Sequence, residues 1–191
     1  MSQEQKSKIR QYFFDHRLSF SKDFVTKESK KICLKAIKYI TEQKNIKNIA
    51  LYSSINNEVE LSLIEEFLQN KNYQIFLPKI IAKKLEFGHL SQENLTRNHK
   101  ISKIIEPIEV TNDIMDIVFC PLVCFDKNNN RIGMGGGFYD RLIEKYRKNN
   151  YQTKFIGTSY KEQYYDKLLP IEKFDKKLDL IITSDHRNSQ L

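Results

Sequence analysis

Between Arg131 and Arg141 the chain reads Arg-Ile-Gly-Met-Gly-Gly-Gly-Phe-Tyr-Asp-Arg. Four of its six glycines, Gly133, Gly135, Gly136 and Gly137, fall within five positions here. Glycine lets a backbone come close to a ligand and take positive φ. Arg131 and Asp140 flank the cluster with a fixed cation and a carboxylate. Apolar Tyr139, Leu142, Ile143 and Tyr146 follow at helical spacing, and the apolar run Ile117–Cys120 upstream reads as a buried strand. The expected order is strand, glycine loop, helix. The open N–H groups of the helix start suit phosphate. A plain turn needs one or two glycines, not four. The loop is not a P-loop, because no Lys-Ser/Thr follows it. It is not a dinucleotide fingerprint, because Phe138 stands at the third glycine position.

The composition sets bounds around this loop. A chain of 191 residues suits one domain, 1–191, with a single core. Four prolines and no Ser/Gly-rich stretch leave no linker, and there is no internal repeat. The longest apolar run, Ile117–Phe125, is too short to span a bilayer. The first residues lack the apolar stretch of a secretory signal. Cys33, Cys120 and Cys124 are expected to pack as small apolar side chains, with no zinc-ligand set around them. A reduced cytoplasm is the simplest setting. The net charge of +8 raises the question of nucleic acid, but lysines are mixed with acids along most of the chain. The expectation is therefore a solvated basic surface, with no nucleic-acid or membrane partner.

The elements that must position the loop read as α/β. One helix shows Ile9, Tyr12, Phe13 and His16 on a face, and a second shows Cys33, Ala36, Ile37 and Ile40. A strand over Ile49–Tyr52 precedes a helix carrying Leu61, Ile64, Phe67 and Leu68. Further strands are expected over 73–77, 85–88, 117–120, 154–157 and 180–183. Alternation of this kind predicts an open, mostly parallel sheet with helices on both faces, a Rossmann-like three-layer fold. Ligands in such folds bind beyond the carboxyl ends of the strands, where the glycine loop and Ser53–Glu58 would converge.

The glycine segment resembles the signature of the 5-formyltetrahydrofolate cyclo-ligase family, which reads Arg-x-Gly-x-Gly-(Gly/Lys)-Gly-(Tyr/Phe)-Tyr-Asp after Pro-x-x-x-Phe-Asp, here Pro121, Phe125 and Asp126. The resemblance runs through Lys6 and Arg10, Tyr52–Val59, Pro78-Lys79, Gly157–Tyr160 with Gln163, and Phe174-Asp175 with Asp179. It implies conversion of 5-formyltetrahydrofolate to 5,10-methenyltetrahydrofolate, with ATP as co-substrate and Mg²⁺. By that resemblance Lys6, Arg10, Arg131, Gly133, Met134, Gly135, Gly136, Gly137, Phe138 and Tyr139 would bind ATP. Ser53, Glu58 and the Met134–Phe138 segment would bind the folate, with Lys79 a weaker candidate. Arg131 and Tyr139 would serve catalysis. Asp140 and Asp175 would hold Mg²⁺, with Asp179 an alternative to Asp175. Some members carry Lys where this chain has Gly136, so Arg131 and the metal would supply that charge. A monomer acting on a folate, including polyglutamylated forms drawn by surface lysines, is the expected state.

Overall fold

A computed structural model describes residues 3–91 and 106–185. Helices α1 (Gln3–Leu18) and α2 (Lys22–Glu42) lead into β1 (Asn48–Ala50), α3 (Ser62–Asn70), β2 (Gln74–Ile81) and β3 (Lys84–His89). Then come β4 (Ile117–Cys120), the short pair β5 (Cys124–Phe125) and β6 (Arg131–Ile132), α4 (Phe138–Lys148), β7 (Lys154–Thr158) and β8 (Leu180–Ile182). Six strands form one sheet in the order β3-β2-β1-β4-β7-β8. All neighbours are parallel except β2 and β3.

Alternation along the strands decides which helix covers which face. Ile49, Ile75, Leu77, Ile117, Phe119, Ile156, Leu180 and Ile182 point into the core formed with α2 and α3. Their neighbours Ala50, Phe76, Val118, Cys120, Phe155 and Ile181 join Leu142, Ile143 and Tyr146 of α4 on the opposite face. The central strands are therefore apolar on both sides, as parallel strands in a three-layer fold must be. The chain runs outward from β1 through α3 to β2, and from β4 through α4 to β7 in the other direction. β1 and β4 are adjacent, so the order reverses between them. That reversal opens a crevice at their carboxyl ends.

Three expectations need correction. α1 does not bury a face of Ile9, Tyr12, Phe13 and His16. Tyr12 is exposed, and the residues turned inward are Lys6, Arg10, Phe13 and Arg17, one stripe at helical spacing. Phe13 packs on Val123, Cys124, Ile132 and Leu169, while the cations reach polar partners. An apolar-period rule cannot find a buried face made of bases. Second, the glycine loop does not follow β4 directly, because the β5–β6 hairpin intervenes. Third, β2 runs to Ile81 rather than stopping at Leu77. Beyond Phe76 its ladder partner is β3 alone, so Pro78, with no N–H, falls where β1 has ended.

The abundant asparagines also have a structural role. Among the described residues, six of the eight non-glycine residues at positive φ are Asn45, Asn56, Asn57, Asn72, Asn129 and Asn150. Asparagine tolerates the left-handed region better than other side chains. It fills positions that glycine would otherwise take.

Candidate functional site

A cavity of about 750 Å³ opens at the β1/β4 reversal. This is within the range that holds a small-molecule ligand. One wall is the backbone from Gly133 to Gly137, followed by Phe138, Tyr139 and Asp140 of α4. Gly135 at φ 96° and Gly137 at φ 64° hold the loop in the left-handed region. Gly137 is also the N-cap of α4 and offers no side chain to the helix start. The first N–H groups of α4 are therefore left for a ligand, at the end of the helix dipole that attracts anions.

The opposite wall comes from α1. Arg10 Nε donates to Gly133 O at 2.8 Å and ties the helix to the glycine loop. Lys6 is buried, and its Nζ donates to Asp175 Oδ1 at 2.6 Å, to Asp175 Oδ2 at 2.5 Å and to Glu172 Oε2 at 3.3 Å. Beneath the loop, Arg131 Nη1 donates to Asp140 Oδ1 at 3.0 Å and to Lys176 O at 2.7 Å. The Lys176 N–H donates to the same Asp140 oxygen at 3.0 Å. Arg141 braces the loop from outside, donating to Gly136 O at 3.0 Å and Lys83 O at 3.2 Å.

The floor lies at the strand ends. Glu58, after β1, and Pro121 and Leu122, after β4, line the cavity. Glu58 is 7% exposed. Its Oε2 accepts from the Ile55 N–H at 3.2 Å, and its Oε1 lies 3.6 Å from Arg17 Nη2. Burial pushes the Glu58 carboxyl above its ordinary value, while Arg17 and the Ile55 N–H oppose the shift. Burial likewise holds the Tyr139 phenol well above 10, so Tyr139 keeps its proton and stands at the wall as a donor.

The structure thus gathers Lys6, Arg10, Glu58, Arg131, the Gly133–Gly137 loop, Phe138, Tyr139, Asp140 and Asp175 around one space. Three candidates lie elsewhere. Ser53 is not among the lining residues. Lys79 spends its ammonium on Pro107 O at 3.1 Å and Ile108 O at 3.0 Å. Asp179 accepts from the Phe155 N–H at 2.8 Å and faces Arg147 at 3.6 Å, so it does not replace Asp175. Sequence reasoning missed Arg17, whose only signal was its place on the Lys6–Arg10 stripe. It also missed Glu144 and Glu172 among the lining residues, and gave no role to the exposed Phe174, which it named only as part of the family pattern.

The charge balance bears on a metal. Lys6, Arg10, Arg131 and Arg141 line the cavity against Glu58, Asp140, Glu144, Glu172 and Asp175. The surplus positive charge of the chain therefore lies outside this space. Among the described residues no group of three or more His, Cys, Asp or Glu side chains could enclose a metal. Mg²⁺ is usually held by one or two carboxylates completed by phosphate oxygens and water. Asp140 fits that mode, since both of its hydrogen bonds fall on Oδ1 and leave Oδ2 open. Asp175 fits only once Lys6 lets go. No helix among the described residues is long and apolar enough to cross a membrane.

Comparison with known proteins places the chain among relatives. The model of the 5-formyltetrahydrofolate cyclo-ligase family matches residues 2–184. A 5-formyltetrahydrofolate cyclo-ligase from Haemophilus influenzae is 33% identical over 152 residues, 75% of this chain and 79% of the relative. That of Mycoplasma pneumoniae is 32% identical over 181 residues, covering 94% and 99%. The solved structure of the M. pneumoniae 5,10-methenyltetrahydrofolate synthetase superposes with a TM-score of 0.73 at 31% identity, over 94% of this chain and 99% of that one. The synthetase of Aquifex aeolicus gives 0.75 at 26% identity, over 94% and 89%.

Proposed function

The chain belongs to the 5-formyltetrahydrofolate cyclo-ligase family, and from that premise we propose that it closes 5-formyltetrahydrofolate to 5,10-methenyltetrahydrofolate at the expense of ATP. The observation that carries this reading is that one cavity brings two kinds of group together. It sets an anion-holding glycine loop and helix N-terminus against a buried carboxylate suited to the amino and N–H edge of a pterin.

The chemical obstacle is the formyl oxygen, a poor leaving group. Transfer of the γ-phosphoryl of ATP to that oxygen releases ADP and makes phosphate the leaving group. N10 then attacks the formyl carbon, gives up its proton and expels phosphate as the ring closes. Little covalent chemistry falls to the protein. It must align oxygen with phosphorus, balance charge and exclude water.

The backbone of Gly133–Gly137 and the start of α4 would receive the phosphates. Arg10 and Arg131 stand beside them as charge-assisted donors. Lys6 would exchange Asp175 for phosphate oxygens when the nucleotide enters. Asp140, and Asp175 once released, would hold Mg²⁺, which supplies charge neutralisation on the phosphates. Glu58 would accept from the pterin, with Phe138 and the protonated Tyr139 framing the formyl group. The surplus lysines outside the cavity would favour polyglutamylated folates. That preference would be a KM falling with tail length at low salt and flat at high salt.

The direct test mixes the protein with 5-formyltetrahydrofolate, ATP and Mg²⁺ and follows the near-ultraviolet absorbance of the methenyl product. The rise should vanish without ATP and on chelation of the metal. Absence of any rise in folded, ATP-binding protein would remove the folate reading and leave a phosphate cradle for another substrate.

A further inference from the structure

Arg17 is the largest fully buried side chain among the described residues, and the site chemistry leaves it unused. It is 1% exposed, and three of its contacts lead to the cavity floor. Its Nε donates to Asn56 O at 3.0 Å, two residues before Glu58. Its Nη1 donates to Leu122 O at 2.8 Å, and Leu122 itself lines the cavity. Its Nη2 has no hydrogen-bond partner and lies 3.6 Å from Glu58 Oε1. Phe14 covers the guanidinium, with its ring centre 5.6 Å from Cζ. The backbone around it is tied in as well, since Asn57 Nδ2 donates to the carbonyls of Arg17, Leu18 and Phe20.

A guanidinium in this place is a costly way to fill space. An apolar side chain of similar volume would pack there without the desolvation of a charge. What an apolar side chain cannot do is hold two loops at once and balance a carboxylate. Arg17 does both. The loop after β1 and the loop after β4 are the two that flank the sheet reversal, and Arg17 bonds to one carbonyl of each. The charge it carries is the one that faces Glu58 across the buried end of the floor.

We propose that Arg17 is a positioning residue for the folate, fixing the Glu58 loop against the Leu122 loop and keeping Glu58 a charged acceptor. It would act through Glu58 rather than on the ligand, since it is not among the cavity-lining residues. The proposal rests on the folate role of Glu58 given above. The other groups facing Glu58 are hydroxyls. Tyr52 just after β1 and Tyr139 on α4 feel its charge, and Tyr160 after β7 donates its OH to the Glu58 carbonyl at 3.2 Å. Both Tyr52 and Tyr139 are held neutral by burial, so Arg17 is the cation that opposes protonation of Glu58.

The experiment compares Arg17→Gln, Arg17→Lys, Glu58→Gln and the Arg17→Gln/Glu58→Gln double variant in the full chain. Steady-state rates are taken with the folate varied at saturating Mg-ATP, and with ATP varied at saturating folate, across a pH series. Loss of a charge-assisted contact predicts a folate KM raised about tenfold in Arg17→Gln, with the ATP KM nearly unchanged. The sign of the pH effect is set by Glu58. Without Arg17 its carboxyl moves further up, so the acid limb of kcat/KM for the folate shifts to higher pH. Arg17→Lys keeps a charge but loses the paired carbonyl bonds, so its acid limb stays near that of the parent while the folate KM rises. In the Glu58→Gln background the Arg17→Gln change adds nothing.

If Arg17→Gln does not fold, Arg17→Lys carries the same reading through its folate-specific KM. A purely architectural Arg17 would raise both KM values together and leave the acid limb in place, which overturns the proposal. A Glu58→Gln variant with unchanged folate KM would instead overturn the role of Glu58 on which it rests. The two failures are therefore distinct.

Discussion

At the scale of single residues, charged side chains that line the cavity are paired with one another. Arg131 shares Asp140 with a backbone N–H, and Lys6 is shared between Asp175 and Glu172. The cysteines stand apart from this chemistry. Cys33, Cys120 and Cys124 are free and buried, and burial pushes each thiol up to about 12. The thiolate is the reactive form, so at pH 8 all three should be inert. Titration with a chromophoric disulfide reagent should find no fast thiol in the folded protein and three after denaturation. A fast thiol in the native state would contradict the burial. The expectation that these cysteines pack as apolar groups was legible because no ligand partners accompanied them. Arg17 was not legible, because nothing local distinguishes a buried arginine from a solvated one.

At the scale of elements, turn geometry has left one place open to improvement. The β2–β3 hairpin turns through Ala82 at φ 46° and Lys83 at φ 64°, both in the left-handed region. A two-residue turn of this kind favours Asn-Gly, because a side chain at positive φ is strained. Lys83→Gly should therefore stabilise the protein by about 1 kcal/mol, read from the denaturant midpoint at constant slope. Arg141 bonds to the Lys83 carbonyl, which the substitution retains. A lowered midpoint would show that the lysine side chain contributes more than its backbone strain costs. In the glycine loop the logic runs the other way. Gly137 is both a positive-φ residue and the cap of α4, so a side chain there would strain the loop and crowd the open N–H groups. The loop and α4 could be read from spacing alone. The β5–β6 hairpin between β4 and the loop could not, since strands of two residues carry no period.

At the scale of the whole molecule, α1 closes the cavity from outside the sheet. Its inward stripe bonds in turn to the Glu172–Asp175 segment, to the glycine loop and to the two loops at the sheet reversal. One consequence is a coupling between nucleotide and metal. On the proposed function Lys6, bonded to Asp175 here, would be released to phosphate, so freeing Lys6 should favour nucleotide when metal is absent. Calorimetry without Mg²⁺ should find tighter ATP binding in Asp175→Asn than in the parent. Lys6→Met should weaken ATP about tenfold, the loss of one charge-assisted contact. Unchanged or weaker metal-free binding in Asp175→Asn would sink the exchange. The sequence by itself determined the alternation of strands and helices, because periods of two and of 3.6 are local properties. It also placed a glycine loop between a cation and a carboxylate, which are neighbours along the chain. Only the tertiary structure decided the face that α1 buries, the exclusion of Asp179 and Lys79 from the cavity, and the meeting of Lys6 with Asp175 across 169 residues. Contacts of that kind depend on how layers stack and where the sheet order reverses, and no local pattern of residues records either.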